Sequence, residues 1–133
     1  MSIFVTDTHP LVWYGNGKLG NLSKSALRAF ADAEVGNAFV HIPAMVLFET
    51  AILERQGKIK LTGGFLRWTE TLLKNPGFGV VSLEPNIINT SVGYNFNNDP
   101  FDKVIVATAA EMSLPLITKD SAITESGLAE ICW

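Results

Sequence analysis

The sequence predicts an α/β fold in which a central, mostly parallel sheet carries helices on both faces. Three observations lead there. Short β-like runs alternate with longer helical patterns; those runs are continuously apolar, as strands buried on both faces are; and no repeat, low-complexity tract or long linker divides the 133 residues. A single domain spanning 1–133 is expected, since a chain of this length can bury one real core but not two.

The elements follow in order. Ser2–Thr6 (SIFVT) reads as the first strand, and Asp7 stands where an N-cap for the next segment, THPLVW, would sit. Tyr14–Asn21 (YGNGKLGN) is rich in Gly and Asn and reads as a mobile loop. Ser23 is a good N-cap for KSALRAFADAEV, which stops at Gly36. Ala38–Ile42 is the second strand, after which Pro43 opens a helix that Gly57 ends. GFLRWTETLLK is a further helix closed by Asn75-Pro76-Gly77, and Phe78–Leu83 a third strand. Pro85 suits the first position of a short helix, Pro100 that of a long one running to about Ser113. Leu114–Thr118 is the fourth strand, a short helix follows at SAIT, and LAEICW closes the chain as a fifth.

Composition narrows the function classes. Hydrophobic residues make up 47% of the chain and charged ones 17%; the start has no basic leader, and no apolar run approaches the ~18 residues that a membrane span needs. A soluble, cytoplasmic protein with no membrane partner is expected. The single cysteine, Cys132, excludes an intramolecular disulfide and a cysteine-based zinc cluster, and reads as a small hydrophobe in the closing strand. A net charge of -3 argues against a polyanion as partner. Without Asp7, Glu49, Asp99, Asp102 and Asp120, however, the ten basic residues outnumber the remaining acids by two. If those five gather at one cation site, the rest of the surface need not repel nucleic acid.

Those five acids carry the chemistry. Asp7 and Asp120 each end a strand and could cap a helix or ligate a cation. Asp99 directly precedes Pro100 and reads as an N-cap, which puts Asp102 in the helix's first turn, where the macrodipole favours an ionised carboxylate. Glu49 interrupts the apolar stretch PAMVLFETAIL, with Arg55 off its face, and an unpaired buried carboxylate costs several kcal/mol. A metal ion is a reasonable partner for it. The carboxyl edge of a parallel sheet is where ligands bind, and Asp7, Glu49, Asp102 and Asp120 can all reach it. Oxygen-only donors suit Mg²⁺ or Mn²⁺ rather than zinc. His9 and His41 read as structural, with His9 near enough to Asp7 to support a ligand.

With these residues placed, the chain resembles the PIN domain, in its VapC-like bacterial ribonuclease branch. The pieces that carry the resemblance are DTHPLVW, FETAILERQGKIKL, DPFDKVIVATAAEMSLPLITKD and the final Trp133, which together span almost the whole chain. The resemblance implies a three-layer α/β/α sandwich whose acidic cluster binds Mg²⁺ or Mn²⁺ and hydrolyses RNA. It implies catalytic and metal roles for Asp7, Glu49, Asp102 and Asp120, and supporting roles for Thr118 and Asp99. It also implies a homodimer and, for a toxin, a small antitoxin lying across the acidic groove. The chain departs from the family pattern: Phe48 stands where Trp usually precedes the glutamate, Leu53 where Lys follows it, and Phe96, Asn97, Asn98 and Lys103 where His and Arg are common. These changes remove positive charge and donors but no carboxylate.

The mechanism implied is metal-assisted hydrolysis of a phosphodiester, with no covalent intermediate, in keeping with the lack of a paired Ser/His or Cys/His signal. Two other readings stand beside it. One is a PIN-fold binding module with little turnover, acting through RNA or a protein partner. The other is a phosphotransfer domain on a different α/β fold, against which stands the lack of D-x-D spacing after the first strand. Trp13 and Trp68 read as core.

Overall fold

The computed structural model describes residues 1–133. Five strands, β1 (Ser2–Thr6), β2 (Ala38–Pro43), β3 (Phe78–Val81), β4 (Leu116–Ile117) and β5 (Ile131–Cys132), form one sheet in the order β3-β2-β1-β4-β5. Every pairing is parallel, with Ser2 beside Ala38, Val40 beside Phe78, Thr6 beside Ile117 and Leu116 beside Ile131. Seven helices fill the connections: α1 (Thr8–Gly15), α2 (Lys24–Glu34), α3 (Ala44–Arg55), α4 (Phe65–Leu73), α5 (Pro85–Val92), α6 (Pro100–Met112) and α7 (Ser121–Ser126). The chain steps outward from β1 to β3, then returns to the far side of β1 for β4 and β5. With right-handed crossovers, that reversal sends helices to both faces and opens a crevice between β1 and β4 at the sheet's carboxyl edge.

Local chemistry explains the helix starts. Ser23 Oγ accepts from Ala26 N at 3.1 Å to cap α2, and Pro85 and Pro100 occupy the first turns of α5 and α6, where a missing N–H is no loss. The αL turn at Ser113 ends α6, before Leu114 and Pro115. Val5, Val40, Ile42, Leu116 and Ile117 are fully buried at the centre of the sheet, against Ala26, Ala29, Phe30 and Ala33 of α2 and Ile105, Val106 and Ala109 of α6. Six consecutive α6 residues, Val104–Ala109, are buried because α6 packs between α5, α3 and β1. This is why the run VIVATAA has no polar face.

Several expected boundaries shift. The fourth strand is two residues rather than five, and the third ends at Val81 rather than Leu83. Pro43 lies within β2 and α3 begins at Ala44. The Gly/Asn-rich segment is not one loop: Tyr14 and Gly15 finish α1, and Leu19–Asn21 form a 3-10 turn. Asn16 Nδ2 donates to Lys60 O at 2.9 Å, which ties this turn to the segment after α3. Cys132 sits half-buried in β5. No helix is long and apolar enough to cross a membrane.

Candidate active site

The crevice between β1 and β4 is built from the backbone outward. Asp7 N donates to Ile117 O at 3.0 Å, so the residue after β1 is held against the end of β4. Its side chain then serves two neighbours. Oδ1 accepts from Thr8 N at 2.7 Å, the N-cap bond of α1, and Oδ2 accepts from the fully buried Thr118 hydroxyl at 2.7 Å. Cap and ligand were offered as alternatives for this residue, but a carboxylate has about four lone-pair sites and can be both.

The other acids arrive from three helices. Asp99 Oδ1 caps α6 by accepting from Phe101 N at 2.9 Å, and Asp102 stands in the same first turn. Asp120 Oδ1 caps α7 through Ile123 N at 2.9 Å, while Asp120 N donates to Thr118 Oγ1 at 3.1 Å. Glu49, on α3, accepts from the Thr8 hydroxyl. The expectation of a Glu49 enclosed by apolar neighbours needs correction. It is half-buried, and the adjacent Phe48 is 59% exposed with its ring 6.0 Å from that of Phe101. In a helix lying at the crevice, one side of α3 faces the polar edge and not the core.

Electrostatics link all five. Burial raises the proton affinity of Asp7, which the hydrogen bonds from Thr118 and Thr8 and the nearby His9 oppose, and to which the Asp120 charge adds. Glu49 is raised by burial and by the charges of Asp7 and Asp99, against the Thr8 hydrogen bond. Asp102 is pushed up to about 7, first by burial, then by the charges of Asp99, Asp7 and Asp120. No lysine or arginine pairs with any of these acids; the ion pair of the structure is Arg28–Asp32, elsewhere on α2. No three carboxylates converge on a ready-made coordination point. Mg²⁺ does not require one, because it is commonly held by one or two carboxylates and keeps several waters. Asp102 Oδ1, Glu49 Oε2 and Asp120 Oδ2 have no hydrogen-bond partner in the protein. The donor set fits a hard divalent cation.

Two side chains at this edge escape a reading by residue type. Thr8 positions Glu49, and Asn97 Nδ2 donates to Asp102 Oδ2 at 2.9 Å while its Oδ1 accepts from Asp99 N at 3.0 Å. The signal for Asn97 was its place two residues before a capping Asp, where Asx turns form. His9 is exposed beside the cluster, and His41 lies apart on β2 in edge contact with Phe39 at 4.7 Å.

No protein-family model matches the chain. Among curated proteins it is 30% identical, over 90% of its length and 88% of the relative's, to Ribonuclease VapC22 of Mycobacterium tuberculosis. The chain belongs to the VapC family. Solved structures agree on the fold. This VapC chain superposes on M. tuberculosis VapC20, a toxin that cleaves the sarcin–ricin loop, with a TM-score of 0.68 at 18% identity, covering 99% of this chain and all of that one. It also matches a chain of a toxin–antitoxin complex from Klebsiella pneumoniae, with a TM-score of 0.56 at 19% identity, covering 91% of this chain and 88% of that one. The all-parallel five-stranded sheet of this VapC protein is thus the PIN architecture.

Proposed function

We infer that this chain is a divalent-metal-dependent endoribonuclease, the toxin of a toxin–antitoxin pair. The observation that carries this reading is the gathering of five carboxylates at the β1–β4 crevice with no basic side chain paired to any of them. Kinship with a ribonuclease supports the substrate class, and the structural likeness to a chain of a toxin–antitoxin complex supports a small antitoxin as partner. A homodimer and a cytoplasmic site of action complete the proposal, as does one domain over 1–133, supported by a single core of 20 residues that runs from Val5 to Ile123.

Asp7, Asp102 and Asp120 would hold Mg²⁺ or Mn²⁺, with Glu49 completing the set or orienting water. When bound, the ion would supply positive charge against the negative charge that builds on the phosphate oxygens, and a water of lowered pKa. The chain's own residues do the positioning: Thr118 and Thr8 fix the Asp7 carboxylate, Thr8 fixes Glu49 and Asn97 fixes Asp102. The positive end of α6 lies at the same place and favours anionic groups there. Asp102 can hold a proton near neutral pH until a cation takes its place.

Purified protein should cut single-stranded RNA with Mg²⁺ or Mn²⁺ and stop when EDTA is added. If Asp102→Asn leaves that cutting unchanged, the proposed site is wrong. A binding module with a retired centre would neither cut RNA nor take up Mg²⁺ in a calorimetric titration.

A further inference from the structure

Trp13 is an aromatic side chain at the margin of the packed core. It is half-buried, yet it lies outside both hydrophobic clusters and is not among the partly buried residues packed against them. Its neighbours are Trp133, itself packed against the core, and two exposed polar side chains. The exposed His9, one turn earlier on the same face of α1, has its ring 5.9 Å away; Trp133 is at 6.4 Å; and the Lys119 ammonium lies 6.0 Å from the Trp13 ring centre. Lys119 is exposed and pairs with no carboxylate, although Asp120 follows it in sequence.

Position gives the group its meaning. Lys119 stands between Thr118, which donates to Asp7, and Asp120. Trp13 lies six residues along α1 from Asp7, about 9 Å at the helical rise. A half-buried ring with an ammonium over it therefore adjoins the carboxylate crevice, within about 9 Å of Asp7 along the helix. Around so many acids that repel its phosphates, RNA needs affinity from a source other than phosphate attraction alone, and stacking on a π-face together with one cation provides it.

The geometry points to a nucleotide subsite next to the acidic crevice, in which Trp13 stacks an unpaired base of the RNA and Lys119 meets a phosphate beside it. This rests on the ribonuclease reading and adds to it the place on the surface where one base of the strand is held. Trp13 and Lys119 are positioning residues here and touch no reacting atom.

The test uses full-length protein and a fluorescein-labelled single-stranded RNA, with affinity read by anisotropy in an Asp102→Asn background that does not cut, and with kcat and KM read in the parent. Trp13→Ala should weaken binding about tenfold or more, raise KM and leave kcat near its parent value, and Trp13→Phe should restore most of the loss. Lys119→Gln should lower the slope of log affinity against log salt by about 0.7, the value for one phosphate on a single strand. If Trp13→Ala folds, by its melting curve, and binds and cuts as the parent does, the subsite is refuted while the ribonuclease reading stands. If Trp13→Ala fails to fold, Trp13→Phe and Lys119→Gln decide alone, and parent-like KM and salt slope in both refute it. A changed sedimentation coefficient with unchanged RNA affinity would assign the surface to a second copy of the chain and also refute it. If the parent itself neither binds nor cuts RNA, both readings fall.

Discussion

Helix α1 joins two unlike regions. At its start Asp7 enters a crevice where five carboxylates repel one another; at its end Tyr14 stacks on Phe30 at 4.9 Å, and Phe30 lies nearly parallel to Phe78 with an interplanar angle of 13°. The second region is tightly packed where α2 meets β3, although Tyr14 and Phe78 also line an open cavity of about 550 Å³. A Cβ on Gly77 would come within 1.9 Å of the Ala33 carbonyl oxygen, where α2 ends against the start of β3. The aromatic end is arranged for packing, and the acidic end holds charges that the metal-free fold would be better without. Such a contrast is expected where function sets the residues and stability is supplied elsewhere.

Substitutions should separate the two ends. The largest effect belongs to the crevice: Asp102→Asn should lower RNA cleavage on the order of 10²–10³-fold, as loss of a group that organises charge at a reacting centre does, while the metal-free protein melts no lower than the parent. At the aromatic end the pattern reverses. Phe30→Ala removes a fully buried ring and should cost about 3–5 kcal/mol in chemical denaturation, with the folded fraction keeping its specific activity. Gly77→Ala should cost about 1–3 kcal/mol in the same measurement, because the atom it meets is backbone and the α2–β3 contact must open. A crevice substitution that unfolds the protein, or a packing substitution that abolishes activity without unfolding it, would erase the distinction.

The smallest effect is one of pH. Asp102 is pushed up to about 7, and Asp7 and Glu49 are also raised, so the folded state keeps protons that the unfolded chain has already released above about pH 4. The unfolded state then binds fewer protons, and stability falls as pH rises from about 4 through about 7. Solvent screening at the half-exposed Asp102 keeps this modest. Melting of metal-free protein should occur at a lower temperature at pH 8 than at pH 5, and Asp102→Asn should flatten that difference; a rise toward pH 8 would show that the carboxylates are not crowded.

Much of this was legible in the sequence, and the limits have physical causes. Alternating strand and helix patterns gave the parallel sheet, and Ser23, Pro85 and Pro100 marked three helix starts because caps and first-turn prolines are local chemistry. The short β4 was harder, since Leu114 and Pro115 are as apolar as the residues that pair. Asp7, Asp99, Asp102, Asp120 and Glu49 were singled out by type and position, and the structure brings their charges within reach of one another. What holds them was not visible: the Thr8–Glu49 bond spans 41 residues and the Thr118–Asp7 bond 111, and only the sheet order brings such pairs together. Trp13, read as core, lies half-buried at the margin of the core beside Trp133. The segment THPLVWYG is apolar on all sides, so periodicity could not say which face of so short a helix meets solvent.

Calorimetric titration of the metal-free protein with Mn²⁺ near pH 6.5, in buffers of differing ionisation heat, tests the cation site at its source. Saturable binding with net release of protons, both lost in Asp102→Asn, is the expected result, because a cation must displace the proton that Asp102 retains. Absence of binding, or binding that Asp102→Asn leaves intact, would show that the five carboxylates serve some purpose other than holding a metal.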